Sequence, residues 1–220
     1  MEVWDYLGEF DFISLCETWL EEKQWGNIKD KLPSEFSWEC IFAKRQKKKG
    51  RAKGGFLIGI KKDWLGKGNI EITEISEQIV RSTLNAKGET YNIYSIYNTG
   101  KLKENLKFFE NLQIEEERKL IIGGDFNIRI GELGKIKSFI EDLDCRCSKD
   151  KICSNEGKYL VELVENNGWN FLNGTTRGDL KKRKVKKTYL SWKNGKSIRE
   201  NFITEKKRIE EPMQYERKGV

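Results

Sequence analysis

The sequence predicts a mixed α/β fold that is rich in strands and has few helices. Three patterns predict it: short apolar runs bounded by turn residues, segments with alternating apolar and polar residues, and two stretches with apolar residues at helical spacing. The 220 residues are enough for one domain with a sizeable core. The content of 11% aromatic residues, including 7 Trp, argues against general disorder.

The first strands are predicted from apolar runs and from the turn residues between them. They span residues 10–15, 54–60, 70–75, 79–85 and 91–98. The second follows a glycine break at Gly54, and the third alternates apolar and polar residues as a half-buried strand does. Lys87-Gly88-Glu89 predicts a hairpin turn between the last two strands.

The middle of the chain predicts a helix followed by a strand. Apolar residues recur at spacings of four and three, which places them on one face of a helix; they are Leu102, Leu106, Phe109 and Leu112. The apolar run 119–122 then predicts a strand that ends in a tight turn at Gly123-Gly124-Asp125.

A second helix is predicted to begin with Asn155 as its N-cap and to stop at Gly168. Its buried stripe consists of Leu160, Leu163 and Val164. A short strand at 169–172 follows, and then a hairpin. The hairpin arms are residues 187–192 and 196–203, joined by Asn194-Gly195. We expect one domain over residues 1–203 and a charged, disordered tail over 204–220.

The termini and cysteines bear on the compartment. The N-terminus lacks the basic and apolar regions of a signal peptide, and no segment reaches the roughly 18 apolar residues of a membrane helix. The 5 Cys are an odd count, which fits reduced thiols, and the spacing of Cys145, Cys147 and Cys153 matches no common zinc pattern. We expect an intracellular protein, nuclear or cytoplasmic, that is neither secreted nor bound to a membrane.

The net charge of +7 favours a polyanionic partner. From Lys44 to Lys53, seven of ten residues are basic and none is acidic. A second basic run consists of Lys181, Lys182, Arg183, Lys184, Lys186 and Lys187. Such runs can contact phosphates, but charge alone fits a solvated loop equally well.

Polar side chains stand at the ends of three predicted strands: Glu17, the pair Tyr97 and Asn98, and the pair Asp125 and Asn127. Strand ends hold side chains rigidly, as catalysis requires. Cleaving a phosphodiester needs a carboxylate ligand for a hard cation, for which Glu17 is the candidate, and a group that activates or orients water, for which Asp125 is the candidate. Asn127 and Tyr97 are neutral groups that can stabilise the developing oxyanion. Singly, a carboxylate at a strand end is more often a turn cap.

These residues belong to an ordered set of motifs. The set comprises Glu17–Trp19, Tyr97–Asn98, Gly123–Asn127, Arg146–Asp150 with Asn155 and Gly157, Trp169–Gly174, and Thr188–Ser191 with Gly195–Ser197. The set resembles the endonuclease/exonuclease/phosphatase superfamily, and more narrowly the apurinic-type endonuclease domain of insect non-LTR retrotransposons. The resemblance covers about residues 10–203.

The resemblance implies a four-layer α/β sandwich, with two mixed β-sheets face to face and helices outside. It also implies Mg²⁺-dependent nicking of duplex DNA, with Mn²⁺ as an alternative ion, and an in-frame reverse transcriptase in the intact element. By matching position, Glu17 would bind the metal, Asp125 would activate or orient water, and Asn127 and Tyr97 would contact the scissile phosphate. Thr188, Asn98 and the basic run 181–187 would contact nucleic acid.

The sequence departs from the family pattern at three places. It begins after the strand that carries a metal-supporting Asn. Glu200 stands where the family has a catalytic Asp, and the chain contains no His. General acid–base help is typically worth about 10²–10⁴ in rate. We therefore expect an incomplete copy, truncated at both ends, with weak or lost activity and marginal stability. Alternatives are a catalytically dead nucleic-acid-binding remnant, a phosphatase or lipid phosphodiesterase, and an interaction domain without chemistry.

Overall fold

The structure is a computed structural model that describes residues 3–47, 49–65, 70–86, 88–100, 102–112, 118–134, 148, 150–171 and 201–205. Its helices are α1 (Val3–Leu7), α2 (Glu22–Lys29), α3 (Lys62–Leu65), α4 (Leu102–Glu110) and α5 (Asn155–Asn166). Its strands are β1 (Phe12–Cys16), β2 (Phe36–Ile41), β3 (Phe56–Lys61), β4 (Ile70–Ser76), β5 (Ile79–Ala86), β6 (Glu89–Tyr97), β7 (Arg118–Asp125), β8 (Trp169–Phe171) and β9 (Asn201–Glu205).

The strands form two sheets. The smaller sheet has the order β1-β3-β2 and is antiparallel throughout. The larger sheet has the order β4-β5-β6-β7-β9-β8 and is mixed, because β6 and β7 run parallel while its other pairs are antiparallel. Of the two mixed sheets expected, only the larger is mixed in the part of the chain that the structure describes.

The two sheets pack face to face. Phe56, Ile58 and Ile60 of β3 meet Val80 and Leu84 of β5 in one buried cluster. Tyr97 and Ile93 of β6 complete that cluster. Because successive side chains of a strand point to opposite faces, the neighbouring residues of these strands are left for the outer layers.

Helices cover both outer faces. Leu106 and Phe109 of α4 and Leu160 and Val164 of α5 pack with β6 and β7 on the outer face of the larger sheet. On the smaller sheet, Leu7 of α1 is buried with residues of β1, β2 and β3. The fold is therefore a four-layer α/β sandwich, which confirms the predicted fold class.

The local predictions were confirmed with several corrections. The hairpin β5–β6, helix α4 and the buried stripe of α5 occur as the sequence patterns indicated. The N-cap of α5 is Ser154 rather than Asn155, since the Ser154 side chain accepts a hydrogen bond from the Gly157 amide. Gly168 has a φ of +67° directly after the helix end, as the predicted stop required.

Helices α1, α2 and α3 and strand β2 were not predicted. Helix α2 has no fully buried residue, so it lacks the apolar stripe on which the prediction of a helix depends. Its N-cap, Glu21, instead forms a capping box with Gln24.

The C-terminal hairpin lies largely outside the described residues. Strand β9 (Asn201–Glu205) covers the end of its predicted second arm and continues past residue 203, where we expected the domain to end. Among the described residues, no helix combines the length and apolar character needed to span a membrane.

Candidate active site

Strands β6 and β7 bring two candidate residues to one edge of the larger sheet. Because these strands are parallel and in register, Tyr97 lies opposite Asp125 at their carboxyl ends. The register requires glycine at position 124. A Cβ built on Gly124 would lie 2.0 Å from the Ile96 carbonyl oxygen, and the φ of +138° is one that side chains rarely tolerate. The glycine directly before Asp125 is thus explained by close backbone approach.

The loop after β7 holds Asp125 and Asn127 together. Asp125 is fully buried, and its Oδ1 atom accepts a hydrogen bond from the Asn127 amide at 2.9 Å. Asn127 is exposed and has a φ of +51°. A left-handed conformation is uncommon outside glycine, and asparagine is among the residues that tolerate it best. This bend keeps the Asn127 amide on the buried Asp125 carboxylate and leaves the Asn127 residue exposed at the protein surface.

Asn98 fixes this loop from within the protein. Its side chain is 3% exposed and donates a hydrogen bond to the Phe126 carbonyl oxygen at 2.8 Å. Its backbone amide donates to the Asp125 carbonyl oxygen at 2.8 Å, and its own carbonyl oxygen accepts from the Asn127 side chain. The direct nucleic-acid contact expected of Asn98 is therefore corrected: the side chain is occupied within the protein and positions the loop.

Two further amides support Asn98, and the sequence analysis missed both. Asn105 of α4 donates from Nδ2 to Gln78 Oε1 at 2.9 Å and to Asn98 Oδ1 at 3.4 Å. Gln78 Oε1 also accepts from the Thr99 amide at 3.1 Å. Asn105 is the one polar residue among the buried positions of α4. This polar residue on an otherwise apolar helix face is the sequence feature that could have identified it.

Glu17 reaches the same site from the smaller sheet. Glu17 follows β1 and has a φ of +56°. Trp19, two residues later, has the same φ. The amides of Thr18 and Trp19 donate to the carbonyl oxygens of Gly55 and Gly54 at 3.3 and 3.1 Å. A side chain at Gly55 would collide with the Thr18 hydroxyl at 2.7 Å. The glycine pair before β3 therefore shapes the loop that presents Glu17.

Tyr97 brings its hydroxyl group close to the Glu17 carboxylate, so the two sheets meet electrostatically at this point. Burial raises the pKa of Tyr97 above its usual value. The charge of Glu17, the hydrogen bond to it and the charge of Asp125 raise that pKa further. Tyr97 is therefore neutral at physiological pH and keeps its proton for hydrogen bonding.

These residues line a cleft of about 860 Å³ between the ends of the two sheets. Its walls include Glu17, Trp19, Tyr97 and Asn127. Among the described residues, the non-glycine residues with positive φ are Glu17, Trp19 and Asn127, and all three line this cleft. Such strained conformations cluster at functional sites because the surrounding structure must hold them in place.

The cleft offers oxygen ligands suited to a hard divalent cation. Glu17 supplies a carboxylate and Asn127 an amide oxygen to the cleft, and Mg²⁺ is usually bound through one or two carboxylates while it keeps several waters. No group of three or more His, Cys, Asp or Glu that could enclose a metal occurs among the described residues. The donor set therefore fits a cation held partly by water and substrate, and does not fit a closed structural metal site.

Other predicted site residues cannot be placed. Glu200, Thr188 and the basic run 181–187 lie outside the described residues. Their roles stay predictions.

Comparison with protein-family models and with curated proteins gave no match. Among solved structures, the endonuclease domain of TRAS1, a telomere-specific non-LTR retrotransposon, matches with 14% identity and a TM-score of 0.48, covering 80% of this chain and 67% of that one. The 3'-5' exonuclease NExo from Neisseria meningitidis matches with 17% identity and a TM-score of 0.39, covering 73% and 62%. Humanized TDP2 from D. rerio matches with 15% identity and a TM-score of 0.37, covering 58% and 54%.

Proposed function

We propose that this chain, a four-layer sandwich of the endonuclease/exonuclease/phosphatase kind, is a divalent-metal-dependent phosphodiesterase. We further propose that it acts on duplex DNA as a nicking endonuclease of the retrotransposon type. The observation that carries the proposal is the meeting of Glu17, Tyr97 and Asn127 at one cleft, from two different sheets, with Asp125 buried opposite Tyr97 on the neighbouring strand.

The roles of the residues follow from their positions. Asp125 is fully buried and its Oδ1 atom accepts a hydrogen bond from the Asn127 amide, so its proposed role, to accept a proton from an attacking water or to orient it, requires the loop after β7 to admit water to it. The Asn127 side chain is exposed at the cleft and can contact the scissile phosphate. Tyr97 holds its proton and can donate a hydrogen bond to developing negative charge. These groups come from rigid strand ends, which keeps their geometry in place during the reaction.

Glu17 is the residue that would hold Mg²⁺ or Mn²⁺. The ion would neutralise charge on the phosphate and polarise its oxygens. Glu17 is suited to this because it lines the cleft close to the Tyr97 hydroxyl.

We expect slow turnover. The chain has no His, so general acid–base assistance to the phosphate must come from other groups. Such assistance is typically worth about 10²–10⁴ in rate. The proposed alternative, a nucleic-acid-binding protein without catalysis, keeps the same cleft and differs only in this chemical step.

Nicking of supercoiled plasmid by the purified chain tests the proposal, with Mg²⁺ and with EDTA. We expect slow nicking that requires Mg²⁺ and disappears in Asp125→Asn and in Glu17→Gln. Glu22→Gln is the matched control, because Glu22 is an exposed carboxylate in α2. Folded protein that binds the plasmid without nicking it would favour the non-catalytic alternative. Nicking that survives Asp125→Asn would indicate a contaminating nuclease and refute the assignment.

A further inference from the structure

The basic loop, residues 44–53, is anchored on the protein. Lys44 and Lys53 form an antiparallel bridge with two backbone hydrogen bonds of 3.1 Å each. Ala52, next to Lys53, is 1% exposed. This corrects the interpretation of the segment as a freely solvated loop, since both of its ends are fixed beside the cleft.

Two cations of the basic loop are already neutralised within the chain. Lys44 forms an ion pair with Glu74 at 2.6 Å. Arg45 forms an ion pair with Glu21 and also donates to the Gly50 carbonyl oxygen. These two residues stabilise the loop and leave little charge for a ligand.

Arg51 differs from both. Its guanidinium group lies 3.4 Å from the centre of the Trp19 ring, and the residue is exposed. No ion pair between Arg51 and a carboxylate occurs in the part of the chain that the structure describes. Stacking on an aromatic ring restricts the guanidinium while leaving its N–H donors available for an anion.

Trp19 and Arg51 line the same cleft as Glu17. Trp19 is two residues from Glu17, in the left-handed conformation that the Trp19–Gly54 hydrogen bond supports. The stacked pair is thus tied to the loop that carries the proposed metal ligand. An anion bound by Arg51 would lie in the same cleft as a phosphate held by a cation at Glu17.

We propose that Arg51, held over the Trp19 ring, binds a backbone phosphate of a polynucleotide next to the scissile one. The inference rests on the proposed function and adds to it a contact outside the reacting group. Arg51 is a binding residue in this assignment, because it contacts a phosphate that does not react. Trp19 is a positioning residue, because it acts through the guanidinium of Arg51. The site therefore selects a nucleic-acid strand over an isolated phosphodiester.

Binding of a short fluorescein-labelled DNA duplex, measured by anisotropy in EDTA at several salt concentrations, tests this assignment without any turnover. We expect Arg51→Ala to weaken binding about ten-fold at low salt, as loss of a charge-assisted contact does. The logarithm of the binding constant falls as the logarithm of the salt concentration rises. The magnitude of that slope should decrease by about 0.9 in Arg51→Ala, which corresponds to the loss of one phosphate contact. Arg51→Lys should keep the slope and lose part of the affinity, because an ammonium cannot present the planar set of donors.

Lys158→Ala is the matched control. It removes the same charge from an exposed position on α5, in the outer layer away from the cleft, and we expect it to leave the slope unchanged. Trp19→Phe keeps a ring beneath the guanidinium and should lose less affinity than Trp19→Ala. Unfolding midpoints of the variants separate a loss of binding from a loss of folding.

The outcomes distinguish this assignment from the proposed function. A slope that falls in Arg51→Ala but not in Lys158→Ala supports the phosphate contact, even if the chain never nicks plasmid. Equal slopes in wild type, Arg51→Ala and Lys158→Ala refute the contact, even if nicking requires Mg²⁺ and Asp125. Absence of measurable duplex binding by the folded wild type also refutes it.

Discussion

Replacement of Gly124 by alanine tests how the candidate site is built. The added Cβ would lie 2.0 Å from the Ile96 oxygen and 2.7 Å from the Ile96 nitrogen, both backbone atoms of the adjacent strand. Neither atom can move without separating β6 from β7. Overpacking of this kind typically costs about 1–3 kcal/mol. The strained φ of +138° adds about 1–3 kcal/mol.

We therefore expect Gly124→Ala to lower the free energy of unfolding by about 2–6 kcal/mol, out of a total of about 5–15 kcal/mol for a typical protein. Two other glycines separate the contributions. Gly88 has a φ of +78° with no atom near the added Cβ, so Gly88→Ala should show the conformational strain alone. Gly26 lies in α2 with open space around it, so Gly26→Ala should stabilise by about 0.5–1 kcal/mol.

Urea denaturation of the three variants, followed by circular dichroism, measures these differences. A Gly124→Ala variant that is unfolded without urea, beside a folded Gly88→Ala variant, agrees with the expectation. If Gly124→Ala is no less stable than Gly88→Ala, the close approach of β6 and β7 is wrong, and with it the placement of Tyr97 opposite Asp125.

Three further predictions concern individual side chains. The raised pKa of Tyr97 means that the folded state holds this proton above pH 10, where the unfolded state releases it. The free energy of unfolding should therefore fall as the pH rises past about 10. Urea titrations should show a less steep fall in Tyr97→Phe. Asn98→Ala leaves the buried Phe126 carbonyl oxygen without its donor and should cost about 1–3 kcal/mol, whereas a cost near zero would exclude the role given to this amide. Ser154→Ala should cost about 1 kcal/mol through loss of the N-cap, and Asn155→Ala should cost much less; the reverse order would restore Asn155 as the cap.

Much of the larger sheet and of the site could be predicted from sequence, because the determinants are local. Strand β4 alternates apolar and polar residues, β5 and β6 flank a glycine turn, and α4 has apolar residues at helical spacing. Glu17, Tyr97 and Asp125 each follow or end such a strand, so their meeting at one edge follows once the fold class is known.

The rest depends on contacts between distant segments. The positive φ of Glu17 and Trp19 is maintained by the glycine pair before β3, and no local pattern in Glu17–Trp19 specifies it. The stack of Arg51 on Trp19 likewise joins residues 32 positions apart. The burial of Asn98 was missed for the same reason: its partners are Phe126 and Asn105.

The parallel pairing of β6 and β7 makes the assembly of the candidate site depend on strand register. Tyr97 and Asp125 are cross-strand neighbours, and a shift of one residue between the strands would turn one partner to the opposite face. This pairing joins segments separated by helix α4, so it forms through a long chain closure, which is slow compared with a hairpin. The cleft therefore exists only in chains whose sheet has aligned correctly. Recovery of plasmid nicking after dilution from denaturant would thus report the alignment of these two strands, whereas recovery of circular dichroism would report secondary structure alone.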